Sequence, residues 1–139
     1  MIYVVAQFVL LLFLAWPMAN LSFSALGAAL ILLAGIVALS ALLANRPGNF
    51  NVRPTPKAGG ELITFGIYYY IRHPMYCSLF FAGLGILFCQ FSLWKLLAWF
   101  LLVLTLTLKA RFEEQALLVK FPHYQEYQST SKAFIPFLW

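Results

Sequence analysis

One short run of the sequence concentrates side chains suited to binding a charged ligand. It places Arg72, His73 and Pro74 between two tyrosines, Tyr68 and Tyr76. Proline suits the first turn of a helix, because the N–H group that it lacks would be unpaired there. Arg72 and His73 would then lie at the positive end of a helix dipole, with free backbone N–H groups pointing outward. The run predicts an anion site, although interfacial tyrosines with a snorkelling arginine have the same composition.

Two adjacent carboxylates, Glu113 and Glu114, form the second candidate. An i,i+4 pair of Lys109 with Glu113 on an exposed helix would contribute only about 0.2–0.5 kcal/mol. That pairing also leaves Glu114 unexplained. The alternative is that one or both carboxylates accept hydrogen bonds from amine or hydroxyl groups of a ligand.

The elements that must position these side chains are strongly apolar. Of the 139 residues, 63% are hydrophobic and 9% are charged, whereas soluble domains carry about 25% charged residues. The first charge met from Met1 is Arg46. The uncharged opening is long enough for two membrane spans of about 20 residues each. The composition therefore excludes an ordinary soluble protein and predicts an integral membrane protein.

We predict an all-α fold, a helical membrane bundle with four transmembrane helices and a C-terminal amphipathic helix. The four spans are expected at about 2–19, 23–44, 74–91 and 93–108. The amphipathic helix is expected over 111–121, ended by Pro122, at the membrane surface. Spans three and four are joined by a very short link and should form an antiparallel hairpin.

Basic residues predict the orientation. Of the nine Lys and Arg, only Lys95 lies in the link between spans three and four, and none lies between spans one and two. The other eight lie in the second loop and the tail, and cytoplasmic flanks collect such residues. A multi-pass protein with cytoplasmic termini and site is expected. The net charge of +5 then suits lipid headgroups and an anionic ligand, and not nucleic acid.

The two cysteines predict neither a disulfide nor a metal site. Cys77 and Cys89 would lie about 18 Å apart on one helix, whereas a disulfide needs Cα atoms within about 7 Å. The chemistry therefore rests on the two charged runs, which the antiparallel hairpin brings to one membrane face. A cationic corner facing an acidic one, with Tyr68 and Tyr76 between, suits a zwitterionic ligand that bears an aromatic ring.

Together these runs form an ordered set of motifs. They are Gly66-x-Tyr68, Arg72-His73-Pro74-x-Tyr76 and, further along, Glu113-Glu114 followed by Leu117, Phe121, Tyr124 and Tyr127. Over about 62–127 the sequence resembles the isoprenylcysteine carboxyl methyltransferase family, which is related to the membrane phospholipid methyltransferases. Gly83 and Gly85 are similar to a glycine pair of the phospholipid branch, although glycines in a span more often permit close helix contacts.

The resemblance implies a membrane bundle that encloses S-adenosylmethionine between the last two spans and the C-terminal helix. The implied cofactor contacts are Tyr68, Arg72, His73, Tyr76, Glu113 and Glu114. Within this set the methionyl carboxylate suits Arg72 or His73, whereas its ammonium group and the ribose hydroxyls suit the glutamates. A single membrane domain is expected, with a two-span scaffold hairpin at 1–44, a cytoplasmic loop and possible lid at 45–66, and the cofactor-binding hairpin with its surface helix at 67–128.

The expected activity is methyl transfer from S-adenosylmethionine to a lipophilic or lipid-anchored acceptor, with carboxylate O-methylation favoured. A carboxylate needs no general base, whereas an amine would have to lose a proton, with His73 as the nearest base. Arg111 either holds an anionic acceptor group or anchors the helix at the interface. The alternatives are a phospholipid-type amine N-methyltransferase and a non-catalytic four-helix transporter or membrane subunit.

Overall fold

The computed structural model describes residues 1–17, 22–45 and 59–134. The helices are α1 Ile2–Ala15, α2 Ala25–Ala44, α3 Pro74–Cys89, α4 Leu93–Lys120 and α5 Tyr124–Thr130, with a 3-10 turn at Gly66–Tyr69. Within the described ranges the chain forms no strand, only one isolated bridge between Ile71 and Lys132. The predicted all-α class is confirmed for this part of the chain.

Two of the helices, α2 and α4, are long and apolar enough to cross a membrane. The apolar α1 and α3 have 14 and 16 residues. At 1.5 Å per residue they reach only about 21–24 Å, whereas the hydrocarbon core is about 30 Å thick. Four spans and cytoplasmic termini therefore stay predictions. Most of the predicted loop at 45–66, namely 46–58, lies outside the described residues.

Helix α4 is longer than predicted. It continues without interruption to Lys120, so the predicted boundary near residue 108 and the separate helix over 111–121 are wrong. The physical reason is that no glycine or proline occurs between Leu93 and Pro122, and these residues are the ones that break helices. The two glutamates therefore stand on the same rod as the apolar stretch of α4.

The helices pack in pairs, α1 mainly against α4 and α2 mainly against α3. Glycines allow α2 and α3 to approach closely. A Cβ atom on Gly85 would lie 2.7 Å from Cγ1 of Ile31 and 2.8 Å from the carbonyl oxygen of Gly27, both in α2. Gly83 makes a similar close contact with α4, since a Cβ atom there would lie 2.7 Å from the Trp99 ring. This confirms that Gly83 and Gly85 are helix contacts.

Lys95 holds together the end of the bundle where α1 ends and α4 begins. Its side chain is fully buried, and its Nζ donates to the carbonyl oxygens of Leu14 and Trp16, both at 3.0 Å, and to Oε1 of Gln90 at 2.7 Å. The last carbonyls of a helix have no partner within that helix. Lys95, predicted to lie in a link, therefore lies in α4 and caps α1.

Candidate functional site

Helix α3 begins as predicted, with Pro74 in its first turn and His73 as the N-cap. The chain enters this helix through the 3-10 turn at Gly66–Tyr69. Gly66 has a φ of +62°, a conformation that glycine adopts without steric cost. The glycine of the first motif therefore shapes the approach to the site.

The four residues after α5, 131–134, which we call the C-terminal strap, lie against the start of α3. The backbone N–H of Arg72 donates to the carbonyl oxygen of Lys132 at 2.7 Å, and that of His73 donates to the carbonyl oxygen of Ala133 at 3.0 Å. In the opposite direction, the N–H of Lys132 donates to the carbonyl oxygen of Tyr70 at 3.0 Å. Strap carbonyls therefore occupy the N–H groups of Arg72 and His73, and the predicted anion site at the start of α3 stays a prediction.

The Arg72 side chain joins three parts of the chain. Its Nε donates to Oε1 of Glu114 at 2.7 Å, which places α3 against α4. Its Nη1 donates to the carbonyl oxygen of Gln128 at 3.2 Å and to that of Ser131. Three of the five N–H donors of this guanidinium are therefore used inside the protein.

The His73 imidazole lies between the two glutamates. Its Nε2 is 3.2 Å from Oε1 of Glu114, and its Nδ1 is 3.7 Å from Oε2 of Glu113. A carboxylate can only accept hydrogen bonds, so Nε2 is the donor to Glu114. The ring stacks on Tyr76 with centroids 5.3 Å apart, and the Tyr76 hydroxyl donates to Oε1 of Glu113 at 2.7 Å.

The structure thus brings most of the predicted site residues into one network. Its members are Arg72, His73, Tyr76, Glu113 and Glu114. The antiparallel packing of α3 and α4 places the two charged runs at the same end of the bundle, as the sequence predicted. Their charges contact each other directly instead of facing each other across an open gap.

The other two predicted site residues are Tyr68 and Arg111. The phenol of Tyr68 hydrogen-bonds with Asn45 at the end of α2, although the Tyr68 carbonyl accepts from the Tyr127 hydroxyl. The Arg111 side chain is exposed and lies three positions before Glu114, on the same side of α4. Its two predicted roles, holding an anionic acceptor group or anchoring the helix at the interface, both stay predictions.

Three tyrosines beside the network are mostly buried. Burial raises the pKa of Tyr68, Tyr124 and Tyr127 above the ordinary value for a phenol. All three hydroxyls therefore keep their protons over the physiological range. For Tyr127 this maintains the hydrogen bond that ties α5 to the 3-10 turn.

Sequence reasoning missed several neighbours of the network. Gln128 donates from Nε2 to Oε2 of Glu114 at 3.0 Å, and Phe134 of the strap packs on the rings of His73 and Tyr76. No local pattern pointed to these contacts, because both partners lie after α4 and reach the site only through the tertiary fold.

Lys109 and Gln7 were also missed as neighbours of the site. Lys109 is buried and not on an exposed helix face, with Nζ 3.0 Å from Oε1 of Gln7 and 5.0 Å from the centroid of the Tyr76 ring. One signal was present in the sequence, since Gln7 is the only amide side chain in the predicted first span. Arg72 and Lys109 place two basic side chains beside the two glutamates, so groups of both signs are present for a zwitterionic ligand.

Comparison with known families matches residues 22–125 to the phospholipid methyltransferase family. The match covers well over half of the chain, from the approach to α2 into the start of α5, and leaves α1 outside. A search of curated proteins gave no significant match. Methyltransferases of the matched family generally use S-adenosylmethionine. The chain therefore belongs to the phospholipid methyltransferase family, which includes the membrane methyltransferases similar to isoprenylcysteine carboxyl methyltransferase.

Proposed function

We propose that the protein transfers a methyl group from S-adenosylmethionine to a lipophilic or lipid-anchored acceptor, with carboxylate O-methylation favoured. The observation that carries the proposal is the network around His73, Glu113 and Glu114 at one end of an apolar bundle. Ionisable side chains are expensive in and beside a bilayer and are usually functional there. Membership in a methyltransferase family supports the choice of reaction.

The residues of the site fit the polar groups of the cofactor. Glu113 and Glu114 would accept hydrogen bonds from its ammonium group and ribose hydroxyls, because carboxylates are strong acceptors. The positive charge of Arg72, with His73, would hold its carboxylate. The ring of Phe134, whose centroid is 6.0 Å from that of Tyr76, suits a positively charged group.

When bound, S-adenosylmethionine supplies a methyl group on a positively charged sulfur, which needs no further activation. The tasks left to the chain are to orient the two ligands and to exclude water. The side chains of Arg72, Glu113 and Glu114 are only 12%, 17% and 15% exposed. Phe134 adds an apolar cover over His73, with centroids 5.9 Å apart.

The hydrogen bonds of His73 favour a carboxylate acceptor. An amine must lose a proton before it can attack, and His73 is the nearest imidazole. Its Nε2 is engaged by Glu114, and its Nδ1 faces the carboxylate of Glu113. A carboxylate acceptor needs no proton transfer. The matched family's description favours the second candidate, a phospholipid whose headgroup amine is methylated.

Lateral entry of the acceptor from the lipid follows from the same arrangement. The site lies at the end of apolar helices, and the outward faces of α1, α2 and α4 expose large hydrophobic side chains, as expected for contact with lipid. We also propose that the termini and the site face the cytoplasm. Eight of the nine Lys and Arg lie in the second loop and the tail, and cytoplasmic flanks collect basic residues.

Binding and transfer measurements test the proposal. Calorimetry on the purified protein in detergent should detect S-adenosylmethionine binding, and radiolabelled methyl should then appear on a long-chain carboxylate in mixed micelles. A folded protein that does not bind the cofactor would contradict the methyltransferase assignment and favour a transporter or subunit. Binding with transfer only to phosphatidylethanolamine would establish the second candidate.

A further inference from the structure

Helix α1 lies outside the family match, yet it reaches the site. The match begins at residue 22, whereas α1 ends at Ala15. Gln7 and Leu14 are the buried side chains of α1, and Gln7 accepts a hydrogen bond from Nζ of Lys109 at 3.0 Å. The only buried polar side chain of this helix is therefore directed at a charged residue of α4.

Lys109 adjoins the binding network through Tyr76. It lies four positions before Glu113, one turn away on the same face of α4, and its ammonium group is 5.0 Å from the centroid of the Tyr76 ring. The hydroxyl of the same ring donates to Oε1 of Glu113 at 2.7 Å. One aromatic ring thus contacts a cation through its face and an anion through its hydroxyl.

Stability alone does not account for Lys109. The side chain is 2% exposed, and the desolvation of a buried charge can exceed the attraction to its partner, so burial of a lysine is weak evidence for a stabilising role. Lys95, the other buried lysine of α4, donates to three oxygens, two of which are carbonyls at the end of α1. Among the described residues Lys109 donates to one neutral amide and otherwise faces Tyr76 and Glu113.

We propose that Lys109, oriented by Gln7, is a positioning residue that holds Tyr76 and Glu113 in the arrangement that binds the cofactor. The ammonium group attracts the Glu113 carboxylate and holds the Tyr76 ring by a cation–π contact, so the hydroxyl stays directed at that carboxylate. Helix α1 is then part of the functional unit. This inference rests on the proposed function, since it concerns the same cofactor site.

The test measures the affinity for S-adenosylmethionine by calorimetry and the thermal stability of the same variants. Lys109→Met should weaken binding about tenfold, the size expected for loss of a buried cation–π contact, in addition to any loss of stability that follows from leaving Glu113 without this cation. Lys109→Arg should restore most of the affinity because it keeps the charge. Lys95→Met is the matched control, and it should lower stability while leaving the affinity near that of the wild type.

Double variants show whether Lys109 acts through Glu113. The loss of affinity caused by Lys109→Met should shrink strongly when Glu113→Gln is already present, because the carboxylate that the lysine positions is gone. Gln7→Leu should weaken binding in the wild type and have no further effect beside Lys109→Met. Purely structural roles would instead give additive losses that follow thermal stability.

The outcomes separate this inference from the proposed function. Wild-type protein that folds but does not bind S-adenosylmethionine would overturn both. Normal wild-type binding with unchanged affinity in Lys109→Met, or an unchanged loss in the Glu113→Gln background, would overturn only the role of Lys109. If Lys109→Met does not fold, the affinity of Gln7→Leu for S-adenosylmethionine is the deciding measurement. An affinity equal to that of the wild type would reject the inference.

Discussion

Arg72 donates from Nε to Oε1 of Glu114 over 2.7 Å, and this ion pair joins positions 42 residues apart. The pair connects the start of α3 to the last third of α4. Because Nη1 of Arg72 also donates to carbonyls of Gln128 and Ser131, the C-terminal segment is bound to the same point. The residues proposed to hold the cofactor are thus also the residues that close this end of the bundle.

Removing either side chain at the centre of the network should weaken cofactor binding. His73→Ala or Glu113→Ala removes a charge-assisted hydrogen bond, with an expected loss of about 1.5–3 kcal/mol, or roughly ten- to hundredfold in affinity. Calorimetry with S-adenosylmethionine measures the effect. Glu126→Ala, an exposed acidic change in α5, is the control. Unchanged affinity in both folded site variants would contradict the proposed site.

Arg72→Lys should loosen the C-terminal segment. Lysine keeps the charge but lacks the planar fork that reaches Glu114, Gln128 and Ser131 together. Hydrogen–deuterium exchange should therefore become faster in α5 and the strap, while α2 keeps its protection. Equal exchange of the segment in the variant and the wild type would show that the guanidinium contacts do not hold it.

Gly85→Ala should destabilise the packing of α2 on α3. The new methyl group would meet Ile31 and the Gly27 carbonyl at 2.7 and 2.8 Å, and such overpacking costs about 1–3 kcal/mol. Gly35→Ala is the control, because nothing lies within 4 Å of a Cβ there. It should be neutral or stabilise α2 by roughly 0.5–1 kcal/mol. Thermal unfolding in detergent compares the two, and a smaller loss for Gly85→Ala than for Gly35→Ala would refute the close contact.

Tyr127→Phe should make the stability less sensitive to alkaline pH. Burial raises the pKa of Tyr127 above its ordinary value of about 10. Above that pH the unfolded phenol loses its proton while the folded one keeps it, so the free energy of unfolding falls as pH rises. The variant loses the hydrogen bond to Tyr68 and is less stable at neutral pH, but its decline above about pH 10 should be shallower. Parallel curves from thermal unfolding across this range would contradict the assignment.

The acceptor should be a molecule that partitions into the membrane. A long chain gains about 0.8 kcal/mol per buried CH₂ group by remaining in the bilayer, and the site lies at the end of helices with apolar outer faces. Methyl transfer in liposomes should therefore rise steeply with acceptor chain length. Equally efficient methylation of a short, soluble analogue would reject lateral entry, even if the enzyme class is correct.

The sequence by itself determined the helical class, several helix boundaries and the parts of the site that depend on local order. Hydropathy and turn residues located α2 and the starts of α3 and α4, because apolar length and Pro74 act locally. The two motifs indicated one shared site, because a short link leaves the third and fourth helices little choice except antiparallel packing. The end of α4 is not predicted correctly, because the change from apolar to charged residues near 108 resembles a helix boundary, whereas the helix continues to Lys120.

Only the tertiary structure decided which partners the charged side chains take. Arg72 contacts a carbonyl 56 positions away, and Lys109 contacts Gln7 across 102 positions. Such contacts depend on which helices pack together, namely α1 on α4 and the strap on the start of α3, and no local pattern encodes that choice. The same reason explains why the backbone N–H groups of Arg72 and His73 are bonded to carbonyls of the strap in the folded protein.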